Sequence, residues 1–134
     1  MVGLTKGNFG LTMMIILWGG ALLSAIIDNI PLVIAMIPLI KSIIPVFAKQ
    51  MGIEGSEDLI MTQISEPLFW ALALGACLGG NGTLIGASAN VVISQIARKN
   101  NYPLTFKRFT FWGAPMMVLS LVISSVYLYF RYLH

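Results

Sequence analysis

Three long stretches of the chain, residues 7–27, 67–97 and 109–130, contain no charged side chain. A transmembrane α-helix needs about 20 consecutive, predominantly apolar residues to cross the hydrocarbon core, and each stretch reaches that length. Over the whole sequence 57% of the residues are hydrophobic and 10% are charged, whereas about a quarter of the residues in a typical soluble domain are charged. The sequence therefore predicts an all-α integral membrane protein whose main partner is the lipid bilayer.

Several other classes of protein are disfavoured by the charged and nucleophilic residues. The formal net charge is +3, and the basic residues lie at segment ends instead of forming a stripe, which argues against nucleic acid as a partner. Cys77 is the single cysteine and His134 the single histidine, so no disulfide within the chain and no Cys-based metal cluster is expected. We expect a protein that is not an enzyme and that carries no cofactor.

The first part of the chain, residues 8–49, is predicted to form a helical hairpin. Two apolar arms flank a polar tip at 28–31. Pro31 has no backbone N–H and suits the first turn of the second arm, while the side chain of Asp28 or Asn29 can cap that helix. The sequence permits two full spans or a re-entrant hairpin, and the polar tip with its carboxylate favours the re-entrant form.

An acidic stretch and a glycine-rich stretch follow the hairpin. Residues 50–66 are predicted to form an aqueous loop, which ends where Pro67 opens the next helix. The run 67–98 is too long for one straight span and concentrates glycines near its middle. We predict a broken helix over 67–98 that is unwound at 79–90, followed by a last transmembrane helix at 109–130.

Basic residues are concentrated around the segment 99–108. Cytoplasmic loops of membrane proteins carry an excess of Lys and Arg, so this loop is predicted to lie in the cytoplasm. The acidic loop 50–66 and the C-terminus then lie outside, in a multi-pass protein of the cell membrane.

Asp28 is the only ionisable residue between Lys6 and Lys41. A carboxylate at the bilayer centre costs at least about 2.5 kcal/mol, so a buried tip would require something that compensates the charge. One interpretation is a proton or cation site that faces a cavity. The other is a helix cap at a solvated turn, where Asn or Ser would serve equally well.

The glycine-rich segment also carries a cluster of polar side chains: Asn81, Thr83, Ser88 and Asn90. It lacks the Lys and Ser/Thr of a P-loop and the glycine spacing of a dinucleotide fold. The GxxxG pairs at 75/79 and 82/86 favour helix packing as one alternative. The polar cluster favours another, because unwound backbone inside a membrane is tolerated only where it is buried in protein or lines a cavity, as in ion transporters.

The candidate residues for binding a substrate or ion come from the tip and the glycine-rich segment: Asp28, Asn29, Asn81, Gly82, Thr83, Gly86, Ser88 and Asn90. Hard oxygen ligands of this kind suit Na⁺ or H⁺ and not zinc or copper. Four of these residues are candidate ligands for a sodium ion: Asp28, Asn29, Ser88 and Asn90. No other metal is expected.

Two segments resemble the C-terminal repeat of the ion transporter superfamily. They are SAIIDNIP at 24–31, continuing to MIP at 36–38, and GGNGTLIGASANV at 79–91. The most similar branch contains the arsenite permeases, the D-type sodium/proton antiporters and the melanosomal P protein, with citrate and dicarboxylate carriers more distant. The resemblance covers nearly all of 1–134, which is treated as a single membrane domain.

The resemblance implies one half of an inverted-repeat transporter, in which a re-entrant hairpin and a discontinuous helix meet at a midplane site. An N-terminal repeat or a second subunit would be the partner. The implied function is secondary active transport of a small inorganic ion, either efflux of arsenite, antimonite or another anion, or sodium/proton antiport. Asp28 stands where the dicarboxylate carriers place serine, which favours proton coupling. The alternative is a non-transporting membrane interaction subunit or an inactive truncated transporter.

Overall fold

The computed structural model describes residues 9–133, and the regular structure in this range is helical throughout. In chain order the elements are α1 Phe9–Ser24, α2 Asn29–Met51, α3 Glu57–Ile60, a π-helical turn Met61–Ser65, α4 Glu66–Gly79, a 3-10 turn Leu84–Gly86, α5 Ser88–Lys99, α6 Phe106–Leu128 and a second π-helical turn Tyr129–Leu133. The predicted start of the hairpin at residue 8 lies outside the described residues.

Within residues 9–133, three helical stretches are long and apolar enough to cross a membrane: Asn29–Met51, Glu57–Gly79 and Phe106–Tyr132. Helix α1 is also apolar, but its 16 residues extend about 24 Å, less than the roughly 30 Å of a hydrocarbon core. Large apolar side chains face outward, and Ile30 and Phe111 are each 70% exposed. The prediction of an all-α, multi-pass membrane protein is confirmed.

The connection between α1 and α2 comprises residues 25–28, called the tip from here on. The predicted tip, 28–31, lies too far along the chain, because α2 already begins at Asn29. Asp28 occupies the position before the helix, but its side chain makes no capping hydrogen bond. The Asp28 backbone carbonyl accepts the Leu32 N–H at 3.4 Å instead, so the prediction of a side-chain cap is wrong.

The acidic segment predicted as a loop, 50–66, is non-helical only over residues 52–56. Gly52 adopts a left-handed φ of 72° and ends α2, as glycine commonly does after a helix. Helix α3 then begins with Glu57 and Asp58 in its first turn, where the helix dipole stabilises negative charge. The prediction of a loop up to residue 66 is wrong because the acidic side chains begin a helix.

A π-helical turn, Met61–Ser65, joins α3 to α4. The Glu66 N–H donates to the Met61 carbonyl five residues earlier, which is the spacing of a π-helix. Pro67 follows directly and has no N–H with which to continue a regular helix. The sequence predicts that Pro67 opens a helix, but it lies inside a helical stretch that begins at Glu57.

Between α4 and α5 the helix is interrupted at residues 80–87, called the break from here on. This interruption is shorter than the predicted unwound segment 79–90. Ser88 begins α5, and the Asn90 N–H already donates to the Ala87 carbonyl at 3.1 Å. The polar residues at the end of the predicted segment therefore belong to the first turn of α5.

The loop after α5 is also shorter than its predicted bounds of 99–108, because α6 begins at Phe106. The Thr105 side chain accepts the Arg108 N–H at 3.2 Å and caps α6. Helix α6 ends at Leu128, where the second π-helical turn continues it. The predicted last helix, 109–130, therefore starts too late and ends too early.

Helix α1 packs along α4 with an unusually close backbone approach. A Cβ added to Gly75 would collide with the Leu17 backbone, and one added to Gly79 would collide with the Ala21 backbone. The GxxxG spacing of the two glycines allows this approach. The apolar core gathers beside this contact and includes Met13, Ile16, Leu17, Ile40, Phe47, Ile64, Leu68, Leu72 and Leu121.

Candidate functional site

The tip lies directly against the break, although the two segments are far apart in sequence. The Thr83 hydroxyl donates a hydrogen bond to the Ala25 carbonyl. Close by, a Cβ placed on Gly86 would lie 3.1 Å from the Ser24 carbonyl oxygen. The lack of a side chain at Gly86 therefore permits the end of α1 and the break to come into contact.

Four helix ends meet at this contact. Helices α1 and α4 end there, at Ser24 and Gly79, while α2 and α5 begin there, at Asn29 and Ser88. The last carbonyls and the first N–H groups of a helix have no partner within the helix. The aligned peptide dipoles make the carbonyl ends partly negative and the N–H ends partly positive. A site between these ends can hold a cation, an anion or both.

Asn90 connects the two sides of the break. Its Nδ2 donates to the Gly80 carbonyl at 2.8 Å and to the Thr83 carbonyl at 3.1 Å. Asn29, from the other side of the contact, lies beside the same glycine: a Cβ on Gly80 would be 2.9 Å from the Asn29 Oδ1. The predicted residues Asn29, Thr83 and Asn90 are thus brought together around Gly80.

Ser24 is a residue of this site that the sequence analysis missed. Its side chain is fully buried, its Oγ contacts the Asn29 side-chain amide, and the same Oγ lies 2.6 Å from the Ala76 carbonyl. The sequence offers one weak signal, because Ser24 opens the segment 24–31 that carries the family resemblance. A serine at the end of an apolar helix otherwise gives no indication of its partners.

Helix α6 covers the other side of the break. A Cβ on Gly113 would collide with the Asn81 carbonyl, and a Cβ on Gly82 would collide with the Met117 sulfur. The predicted site residue Gly82 therefore serves close packing against α6. Gly113 and Met117 lie within the long apolar stretch of α6, where no local pattern marks them as neighbours of the break.

The remaining predicted residues occupy more open positions. Asp28 is half-buried, next to Asn29, and its carboxylate makes no hydrogen bond within the described residues. The side chains of Asn81 and Ser88 are exposed. The structure therefore brings Asn29, Thr83, Gly86 and Asn90 into one site but does not bring Asn81 or Ser88 into contact with them.

The ligand set around the break is made of neutral oxygen atoms. Within residues 9–133 no group of three or more His, Cys, Asp or Glu side chains could hold a metal ion. The carbonyls of Gly80 and Thr83 and the amides of Asn29 and Asn90 are instead the polar groups that meet there. Such oxygen atoms suit a hard monovalent cation more than a transition metal.

The structure contains an interrupted helix whose ends face the tip, and three helices within residues 9–133 are able to cross a membrane. These two features together define a class of protein. Discontinuous membrane helices of this kind form the substrate and ion sites of secondary transporters. Comparison with protein families agrees with this class, since residues 1–133 match the family described as citrate transporter, CitMHS. The chain belongs to the citrate transporter family.

Similar proteins from several organisms support this membership. The chain is 43% identical over 121 residues to the P protein of Mus musculus, covering 90% of this chain and 13% of that protein. It is 44% identical over 129 residues to an uncharacterized transporter of Mycobacterium tuberculosis (96% of this chain, 27% of that protein). It is 36% identical over 126 residues to an uncharacterized transporter of Synechocystis (90% and 27%). The resemblance to the ion transporter superfamily is confirmed.

The chain spans only part of each relative, between 13% and 27% of the three proteins just compared. No solved structure matches the chain significantly.

Proposed function

We propose that this chain supplies half of the ion-binding site of a secondary active transporter for a small inorganic ion. The observation that carries the proposal is the contact of the tip with the break, where four helix ends meet and the Asn90 side chain binds the carbonyls of Gly80 and Thr83. A helix interrupted only for packing would not need an amide side chain of α5 to bind carbonyls at the start of the interruption. A site that opens and closes around an ion does need such groups.

The lengths of the two half-helices support a site at membrane depth. Helix α4 has 14 residues and α5 has 12, so they extend about 21 and 18 Å. Neither crosses a hydrocarbon core of roughly 30 Å alone, but the two together do. The stretch Glu57–Gly79 crosses alone only if Glu66 enters the lipid, because the last 20 residues of this stretch begin at Ile60 and include that carboxylate, which is costly. The break then lies inside the bilayer, and the hairpin, whose tip contacts it, is re-entrant.

The chemistry of the site favours coupling to H⁺ or Na⁺. Carbonyl and amide oxygens around Gly80 provide ligands for sodium, and Asp28, the neighbour of Asn29, provides a group that can take up and release a proton. Bound sodium and a bound proton would compete at one carboxylate. Competition of this kind is what sodium/proton antiport requires.

The cargo is proposed to be a small inorganic ion, either arsenite, antimonite or another anion that is exported, or sodium in exchange for protons. The family description names citrate, which carries several carboxylates. The negative charge of Asp28 beside the tip would repel such a molecule. A sodium ion or a small, weakly charged species is compatible with that carboxylate.

Transport measurements in proteoliposomes test the proposal. The chain is reconstituted with a complementary N-terminal half, and uptake of sodium, arsenite, phosphate and citrate is followed with and without an imposed pH gradient. We expect flux of one inorganic ion that depends on the pH or sodium gradient. Absence of flux for every ion, in protein that is folded and inserted, would favour a non-transporting interaction subunit. Flux of citrate alone would contradict the proposed cargo.

A further inference from the structure

Ser24 connects the ends of three helices, α1, α2 and α4, at the proposed site. It is the last residue of α1 and is fully buried. Its Oγ contacts the amide of Asn29 at the start of α2 and lies 2.6 Å from the carbonyl of Ala76 in the last turn of α4. One hydroxyl thus connects three helix ends, including the one that carries Asn29.

The Ser24 hydroxyl has a single hydrogen atom, which limits the hydrogen bonds that it can donate. A serine hydroxyl has one hydrogen to donate and can also accept. The Ala76 carbonyl can only accept, and it is one of the last four carbonyls of α4, which have no partner within the helix. If Ser24 donates to Ala76, the Asn29 amide must donate to Ser24. The structure places the Asn29 Oδ1 against the Ser24 Oγ, but an amide oxygen cannot donate. We therefore assign the amide in the reversed orientation, with its nitrogen towards Ser24, since the two ends have nearly the same shape.

We propose that Ser24 is a positioning residue that acts through Asn29. This role rests on the proposed function of the contact between the tip and the break. The relay runs from the Asn29 N–H to the Ser24 oxygen and from the Ser24 O–H to the Ala76 carbonyl. It directs the Asn29 nitrogen towards α4 and leaves the amide oxygen as the end that is available to a cation. Without Ser24 the amide rotates, and its N–H groups face the cation for part of the time.

The geometry around the relay leaves little room for another solution. Gly79 and Gly75 hold α4 against α1 through backbone contact, so Ala76 cannot move away from Ser24 independently. A Cβ on Gly80 would lie 2.9 Å from one end of the Asn29 amide and 3.4 Å from the other, so the amide is also confined on the side of the break. The orientation of the amide is therefore the variable that Ser24 controls.

The test measures how transport depends on sodium concentration at fixed pH, in the reconstituted transporter. We expect Ser24→Ala to raise the half-saturating sodium concentration about fivefold, the factor that corresponds to one hydrogen bond, with little change in maximal rate. Ser120→Ala is the matched control, because Ser120 bonds to the Met116 carbonyl of its own helix at 2.8 Å. This control should behave like the wild type.

A double-mutant cycle separates positioning from a structural role. If Ser24 acts through Asn29, Ser24→Ala adds nothing to the loss of affinity in an Asn29→Ala background. An undiminished effect of Ser24→Ala in that background would overturn the proposal. Should Ser24→Ala fail to fold, Ser24→Cys replaces it, and an unchanged sodium dependence of this weaker hydrogen-bond donor overturns the proposal as well.

Failure of this inference and failure of the proposed function give different results. If Asn29→Ala leaves the ion dependence unchanged, the start of α2 next to the tip is not part of the site and the proposed function is wrong. If Asn29→Ala weakens ion affinity while Ser24→Ala does not, the site stands and the positioning role of Ser24 is wrong.

Discussion

Asp28 is a half-buried carboxylate that precedes α2 and makes no hydrogen bond within the described residues. A capping aspartate would accept an N–H from the first turn of the helix, and Asp28 does not. The interpretation of Asp28 as a replaceable cap therefore loses its structural basis. The proposal that it exchanges protons and cations remains.

The substitution Asp28→Asn tests this proposal at the residue scale. It keeps the shape of the side chain and removes the negative charge, so we expect normal expression and insertion but loss of pH-gradient-driven flux. Flux of the cargo at several external pH values, compared with the wild type, measures the effect. An unchanged rate and an unchanged pH dependence would show that Asp28 does not couple transport to protons.

At the scale of the helices, the close contact of α1 with α4 holds the tip against the break. Gly79 is the critical residue, since it ends α4 and its Cα faces the Ala21 backbone. Gly19, two residues before Ala21, has open space around its Cα. The two glycines therefore form a matched pair for substitution.

We expect Gly79→Ala to destabilise the fold by about 1–3 kcal/mol, the usual cost of overpacking. Gly19→Ala should be neutral or slightly stabilising, because alanine favours a helix more than glycine does. Thermal unfolding of the detergent-purified protein, followed by tryptophan fluorescence, provides the comparison. Equal unfolding temperatures for the two variants would show that the backbone contact of α1 and α4 contributes little.

The sequence predicts these helices well where the signal is local. The glycine and polar residues after Gly79 mark the break, and the apolar stretches mark the membrane helices. The error at 57–65 is itself local, because Glu57 and Asp58 begin a helix that a π-helical turn continues to Glu66. Other errors arise where tertiary contacts determine which residues lie together. Ser24 has no local pattern that reveals Asn29 and Ala76 as partners. The exposure of Ser88 also depends on how α5 is placed.

At the scale of the whole molecule, charge is distributed unequally between the two ends of the helices. Arg98, Lys99, Lys107 and Arg108 flank the loop between α5 and α6, while acidic residues lie around the start of α3. By the positive-inside rule, we propose that the basic loop is cytoplasmic and that the acidic connection and the C-terminus are external.

Cysteine labelling tests this orientation in a variant that carries Cys77→Ala. A cysteine introduced by Ser56→Cys, in the exposed acidic connection, should react with an impermeant reagent in intact cells. A cysteine introduced by Asn101→Cys should react only after permeabilisation. The reverse pattern would contradict the proposed orientation of both loops.

Within the described residues the chain supplies one hairpin and one broken helix, with the tip against the break and α6 packed on it. Unpaired backbone groups in lipid cost several kcal/mol each, and we propose that a complementary half covers those that this chain leaves open. We expect the monomeric chain alone to insert but not to transport, and flux to appear when an N-terminal half is added. Robust flux from protein shown to be monomeric in the membrane would contradict the half-site.

The most direct test of the site is the ion affinity of the reconstituted transporter that carries Asn90→Ala. This substitution removes the hydrogen bonds to the Gly80 and Thr83 carbonyls, together worth about 1–3 kcal/mol. We expect the half-saturating ion concentration for transport to rise about tenfold, an effect of about 1.4 kcal/mol, while Ser120→Ala leaves it unchanged. An unchanged half-saturating concentration in folded Asn90→Ala protein would contradict an ion site at the tip and the break.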